Sequence, residues 1–349
     1  MRSTLAEEES QLLKFISRRQ FIATGAASVA IPTVVSADFA PRVQKPAALR
    51  KGDLVSVVAP ASGVLKAEDF VAAQKALEKL GFTVSFGPHA RMVTGYLAGS
   101  DQDRLSDLIA ALKDPVVKGV FCLRGGYGCA RLLPLFDGLK LPVKPIIGYS
   151  DATSLLNGLF ARRGWVGFHG PVATSTFNEF TASNFWSLME GGRDLRASES
   201  NRGSIVCHVR GRAQGRLTGG NATVFCSLIG TPFLPKMDGT ILLLEDIGED
   251  SYRLDRMLTQ LDQAGILAKV SAVAFGRMLP PKETDPEMPK GPSLSEVIQE
   301  KLGRNGIPVC SGLPFGHIVD KWTIPLGIRA ELDAEEGSIH LLESAFATD

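Results

Sequence analysis

Ser150 stands where a hydroxyl can be pushed out of a sheet. The apolar run 145–149 before it reads as a buried strand, and residues 151–162 after it as a helix with Leu155, Leu156, Leu159 and Phe160 on one face. Two residues to either side lie Gly148 and Ala152, both small. A sharp strand-to-helix turn needs small neighbours there because two backbone segments crowd together, and such a turn aims the hydroxyl at a cleft. The second glycine usual in a nucleophile elbow is here Ala152. The competing reading is an ordinary helix N-cap.

A nucleophilic hydroxyl needs an oxyanion donor, a base and an acid that orients the base. The turn Arg124-Gly125-Gly126-Tyr127-Gly128 offers donors, since consecutive glycines let backbone N–H groups approach a developing oxyanion. It could equally be a plain tight turn, and it lacks the pattern of a phosphate cradle. Glu245, Asp246 and Glu249 follow an apolar strand, where a carboxylate can orient a histidine or cap the next helix; Glu249 or Asp250 suits the cap better than Glu245. There are five histidines. His169 and His317 each adjoin a glycine at an element end, and either could be the base. His208 and His340 read as structural, and His89 lies in a polar loop. No cluster has metal-ligand spacing, so neither metal nor cofactor is expected.

These residues need a scaffold that brings strand ends together. Strands are predicted at 54–59, 82–86, 119–123, 146–147 and 166–168, with helices at 67–80, 101–112, 130–136 and 151–162 between them. Strands separated by helices imply βαβ units, hence an α/β fold with a parallel sheet. Ligands of such sheets bind at the carboxyl ends of the strands. Pro60, the 124–128 turn, Ser150 and His169 all follow strands and should share one rim. After a less regular segment, 176–213, with a helix near 183–190, a second unit begins. It has helices at 222–229, 252–264 and 294–302, strands at 240–244 and 270–275, a Pro-rich loop at 280–292 and short strands to the end.

The chain has 349 residues, 44% hydrophobic and 21% charged, enough for about two domains. A net charge of +1 gives no basic bias towards nucleic acid. The five cysteines sit in apolar segments without Cys-x-x-Cys spacing, so no required disulfide is expected. Residues 1–37 stand apart: Arg18-Arg19 precede a weakly apolar, small-residue run ending at Ala37. This order predicts a twin-arginine export signal, a periplasmic destination and no stable membrane insertion, against an alternative amphipathic helix in a cytoplasmic protein. Residues 38–50 read as a linker.

Taken in order, the segments resemble the L,D-carboxypeptidase family of serine peptidases. The likeness rests on residues 57–62, 96–101 with Arg104, 123–128 with 131–134, 147–151 and 168–171. It continues through 219–221, 244–249, Tyr252 with 255–258, 315–317 and 325–327. The resemblance implies a parallel N-terminal α/β domain (51–175) joined through 176–213 to a smaller β-rich C-terminal domain (214–345), with the active site between them and a homodimeric assembly. It implies Ser150 as nucleophile, Glu245 as acid and His317 as base. It makes backbone N–H groups of Gly126 and Asp151 the oxyanion donors, and Arg124, Tyr127 and His169 substrate-binding candidates.

The activity implied is release of terminal D-alanine from muropeptide tetrapeptides. Microcin-immunity carboxypeptidases, which cleave acyl–nucleotide amides, belong to the same family and supply an alternative. That chemistry needs an aromatic platform for a base, and Trp186, set in a helical apolar stretch, reads instead as core. A non-catalytic cell-wall-binding module is a further alternative, opposed by the intact serine, glutamate and histidine.

Overall fold

The computed structural model describes residues 41–64, 66–281 and 291–348. The export-signal reading, and most of the 280–292 loop, lie outside the described residues.

The first half alternates strand and helix: β1 (Leu54–Val58), α1 (Ala67–Leu80), β2 (Thr83–Phe86), α2 (Asp101–Lys113), β3 (Val117–Cys122), α3 (Cys129–Leu132), β4 (Ile146–Gly148), α4 (Ala152–Arg163) and β5 (Gly167–His169). Local chemistry sets several boundaries. α1 ends where Gly81 turns left-handed at φ 110°. α2 starts from a capping box in which Ser100 and Asp103 satisfy each other's backbone N–H groups. The helix predicted at 130–136 divides into α3 and a 3₁₀ turn at Leu133–Phe136 that carries Pro134 at its start.

β1 to β5 are mutually parallel in the order β5-β4-β3-β1-β2. The order reverses direction at β1, so the crevice at the topological switch point opens between the ends of β1 and β3. Those ends lead into Pro60–Ser62 and the 124–128 turn. β4, one strand further, leads into Ser150.

The remaining elements are α5 (Glu179–Met189), β6 (Asp194–Leu195), α6 (Glu199–Arg202), β7 (Val206–Val209), β8 (Arg212–Asn221), α7 (Ala222–Cys226), β9 (Thr240–Ile247), α8 (Ser251–Gln263), β10 (Ala272–Leu279), α9 (Leu294–Leu302), β11 (Val309–Ser311), β12 (Ile324–Leu326), β13 (Arg329–Asp333) and β14 (Ser338–Leu341). Eight strands form the second sheet, in the order β6-β14-β13-β8-β9-β10-β11-β7, with β8 to β11 parallel. Leu254, Leu258 and Leu261 of α8 and Val297 and Ile298 of α9 form a core with Leu242, Leu244 and Phe275 of this sheet.

Three features tie the halves together. β12, from the C-terminal region, pairs antiparallel with β5 and completes the first sheet as its sixth strand. β6 and β7, from the 176–213 connection, lie at the two edges of the second sheet. Residues 41–50, read from composition as a linker, lie against the body instead. Leu49 is buried beside Gly119, Gln44 N–H donates to Gly164 O (2.7 Å), and Ala347 N–H donates to Pro46 O (2.9 Å).

β8 is the strand that local reading passed over, because Gly215, Gly219 and Gly220 dilute its apolar pattern. Tertiary contact requires all three: a Cβ on Gly215 would come 2.4 Å from Gly239 O. A Cβ on Gly219 would run into Leu243 O, and one on Gly220 would come 2.5 Å from Thr153 Oγ1 of α4.

Candidate active site

Ser150 has φ 61°, and among the described residues it is the sole non-glycine with positive φ. An L-residue held in this region costs about 1–2 kcal/mol, so the surrounding structure must impose it. The crowding is visible: a Cβ on Gly148 would come 2.9 Å from both Ala152 Cβ and Cys122 Sγ. Ser150 is not the helix cap. That position is taken by Asp151, without a side-chain cap bond, while Ser150 O accepts from Thr153 N–H at 2.9 Å. The strained turn is the nucleophile elbow geometry.

The glycine turn lies against this elbow. A Cβ on Gly125 would sit 2.7 Å from Ser150 Oγ and 3.5 Å from the Asp151 nitrogen. Gly126 (φ 115°) leaves no room for a side chain over Ser62, whose Oγ accepts from Tyr127 N–H at 3.1 Å. The Asp151 carboxylate is buried and accepts from Cys129 N–H at 2.8 Å, joining the turn to the elbow; burial raises its pKa. Arg104, 1% exposed, braces the turn from below. Its guanidinium donates to Gly128 O (2.9 Å) and to Pro60 O, and pairs with Asp101, which also holds Arg131 at 2.8 Å. Ser62 and Arg104 thus join the loops after β1 and β3. The roles of both escaped the reading from local pattern, because neither has a sequence neighbour that announces its distant partners.

Across the crevice, Glu245 lies near the end of the buried part of β9 and is fully buried. Its Oε2 lies 2.7 Å from His317 Nδ1. Burial raises the Glu245 pKa, and the imidazole opposes that shift. Gly316 (φ 106°) permits the approach, since a Cβ there would be 2.5 Å from Glu245 Oε2. The other acids are engaged elsewhere. Asp246 accepts from Asn221 Nδ2, Thr223 N–H and Ile247 N–H, each at 2.9 Å, and Glu249 pairs with Arg253 at 3.4 Å.

The other histidines are accounted for by packing. His89 bonds Asp107 (2.7 Å), His208 bonds Ser311 (2.8 Å) and His340 bonds Asp194 (2.9 Å). His169, a candidate for substrate contact, is instead 2% exposed, with its ring against Tyr149 and Phe315. Burial pulls its pKa down to about 3, which makes it a neutral wall residue rather than an exposed ligand.

Ser150, His317, Tyr149, Arg124, Gly125, Gly126, Asp69 and Thr174 line one cavity of about 290 Å³. Thr174, bonded to Leu123 O through both N–H (3.1 Å) and Oγ1 (3.0 Å), also borders a larger cavity of about 590 Å³ lined by Phe177, Asn178 and Ser175. Arg124 reaches back to Gly63 O at 3.4 Å, and Tyr127, 48% exposed, stands edge-on to Tyr96. Among the described residues no group of three or more His, Cys, Asp or Glu could hold a metal ion. No helix among them is long and apolar enough to cross a membrane.

A half-buried serine on a strained elbow, lining one cavity with a histidine backed by a buried carboxylate, is an arrangement suited to nucleophilic acyl transfer. Comparison with known proteins agrees with that chemistry. The LD-carboxypeptidase N-terminal domain matches residues 55–170, and the LD-carboxypeptidase C-terminal domain matches residues 214–332. The chain belongs to the LD-carboxypeptidase family. It is 37% identical to a putative carboxypeptidase of Synechocystis, over 85% of this chain and 97% of that one. It is 35% identical to the murein tetrapeptide carboxypeptidase of Pseudomonas aeruginosa, over 80% and 92%. Among solved structures, a MccF-like protein from Bacillus anthracis superposes with a TM-score of 0.76 at 28% identity, covering 86% of this chain and 99% of that one. LD-carboxypeptidases are peptidases, so the elbow and cleft described above lie on a hydrolase scaffold. The two family domains meet where Ser150, from the first, and His317, from the second, line the same cavity.

Proposed function

We propose that this LD-carboxypeptidase hydrolyses the amide between an L-configured centre and a terminal D-alanine in a muropeptide tetrapeptide, with Ser150, His317 and Glu245 as the catalytic set. One observation carries the reading: the strained Ser150 and the Glu245-backed His317 line one cavity. His317 takes the Ser150 proton as Oγ attacks the carbonyl on the L side. The backbone N–H groups of Asp151 and Gly126 stabilise the oxyanion, each such donor being worth about 3–4 kcal/mol. His317 then passes the proton to the departing D-alanine nitrogen, and later removes a proton from the water that cleaves the acyl-serine. Arg124, on the cavity wall, is the cation for the free carboxylate; Tyr127, in the same turn, is exposed and is not among the residues lining the cavity.

The microcin-immunity reading draws support from the MccF-like structure. It is weakened by Trp186, whose indole N–H donates to Leu80 O at 3.0 Å and whose ring packs on Phe82 and Phe185, so it is no free platform for a base. Incubation with a disaccharide tetrapeptide, its D,D-linked pentapeptide relative and an acyl–nucleotide amide separates the readings. Release of D-alanine from the tetrapeptide alone is expected; release from neither peptide rejects the proposal. Export and a homodimer belong to the same proposal. Arg18→Lys with Arg19→Lys should retain the protein in the cytoplasm, and unchanged fractionation would reject the signal.

A further inference from the structure

Lys321 lies between His317 and β12, and the roles assigned above leave it unused. It is 5% exposed, yet its Nζ sits 4.5 Å from the centre of the Tyr149 ring. The Tyr149 ring in turn meets the His317 ring edge-on, with centroids 4.9 Å apart. The aromatic ring just before the proposed nucleophile is therefore held between a buried ammonium and the imidazole that Glu245 backs. The loop is anchored so that Lys321 keeps this place: its N–H donates to Thr181 Oγ1 at 3.1 Å, and Asp320 accepts from Asn178 Nδ2 (2.5 Å) and Asn201 Nδ2 (2.8 Å).

We propose that Lys321 is a positioning residue for the Glu245–His317 pair, its ammonium pinning the Tyr149 ring against the imidazole and setting the charge balance behind it. The proposal rests on the reading of His317 as the base. The groups that face Lys321 are Glu245 from β9, His169 from β5 and Tyr149 from the elbow; His317, from the same loop, meets Tyr149 and His169, and Arg124 acts on Tyr149 from the β3 turn. Glu245 favours the ammonium, but burial outweighs it and pulls the Lys321 pKa down to about 8. While charged, Lys321 also opposes a positive charge on His169, whose pKa burial and His317 lower as well. Loss of the ammonium, by titration or by substitution, should release the Tyr149 ring from its place against the His317 imidazole.

The test compares wild type, Lys321→Arg and Lys321→Met on the disaccharide tetrapeptide across pH. In Lys321→Met the decline in kcat/KM that wild type shows above about pH 8, where Lys321 loses its charge, should disappear, the activity at neutral pH being already reduced. Its kcat should fall several-fold with KM little changed, because Lys321 is not among the residues lining the cavity. Lys321→Arg should keep most of the neutral-pH kcat and lose the wild-type decline above about pH 8 that deprotonation of Lys321 produces. Histidine-ring NMR reads the release of the Tyr149 ring without substrate, as a change in the ring-current shift of the His317 protons, so it decides the matter even if no D-alanine is released. Identical His317 ring shifts in wild type and Lys321→Met would overturn the proposal. If Lys321→Met fails to fold by circular dichroism, an alkaline limb in Lys321→Arg identical to wild type overturns it instead.

Discussion

Asn157 and Gly219 are joined by two hydrogen bonds: the Asn157 amide donates to Gly219 O at 2.8 Å, and its Oδ1 accepts from Gly219 N–H at 3.1 Å. The side chain of α4 thus pairs with the backbone of β8 as a neighbouring strand would. Thr153 Oγ1 adds a bond from Asn221 N–H at 2.9 Å, and Asn221 pairs in register with Glu245. The helix that follows Ser150 is thereby indexed to the strand that carries Glu245.

Asn157→Ala should strand two buried backbone groups on Gly219, at a cost of roughly 2–4 kcal/mol. The urea midpoint should fall, and kcat should fall in the fraction that remains folded, because the two halves of the site lose their register. A variant with normal stability and turnover would show that the paired amide does not align the site.

Ser150→Gly should abolish D-alanine release and at the same time raise stability by about 1 kcal/mol, because glycine adopts φ 61° without a Cβ penalty. Thermal unfolding and the release assay, run on one preparation, check both halves. Retained turnover would remove Ser150 as nucleophile, and unchanged or lower stability would show that the elbow stores no strain.

Glu245→Gln should lower kcat by about 10³–10⁴-fold, since the amide cannot stabilise the imidazolium. Stability at neutral pH should hold or rise, because burial already opposes the charge on this carboxyl. Gly316→Ala should damage both turnover and stability, its methyl group meeting Glu245 Oε2 at φ 106°. If both variants retain wild-type kcat, Glu245 is not the orienting acid.

Acid should destabilise the fold through His169. The unfolded chain protonates this ring below about 6.5, whereas the folded chain holds it neutral to about 3. Stability is therefore full above about pH 6.5 and declines as pH falls towards 3, by at most about 5 kcal/mol from this group. His169→Leu should flatten the dependence of unfolding free energy on pH by about one proton between pH 6 and 4. An unchanged slope would mean that His169 takes up its proton in the folded state.

Much of this was readable along the chain. Helices 67–80 and 294–302 were legible to the residue, because their apolar faces and end signals are local. Gly148 and Ala152 beside Ser150 marked the elbow, although an N-cap fitted the same letters. β8 was not legible: its glycines are explained by Leu243 and Thr153, far away in sequence. Nor was the packing of residues 41–50, whose partners include Gly164 and Ala347.

The sequence by itself determined the alternation that makes a parallel sheet, the place of Ser150 after a strand, and the ordered set of segments that identifies the family. Those signals are short-range, carried by periodicity and by neighbours a few residues apart. The tertiary structure paired Glu245 rather than Asp246 or Glu249 with His317, took His169 out of contact with solvent and left His317 on the cleft. It also gave Ser150 its left-handed backbone. Each of these depends on burial or on a partner many tens of residues away (72 in the case of His317 and Glu245), and neither can be read from local spacing.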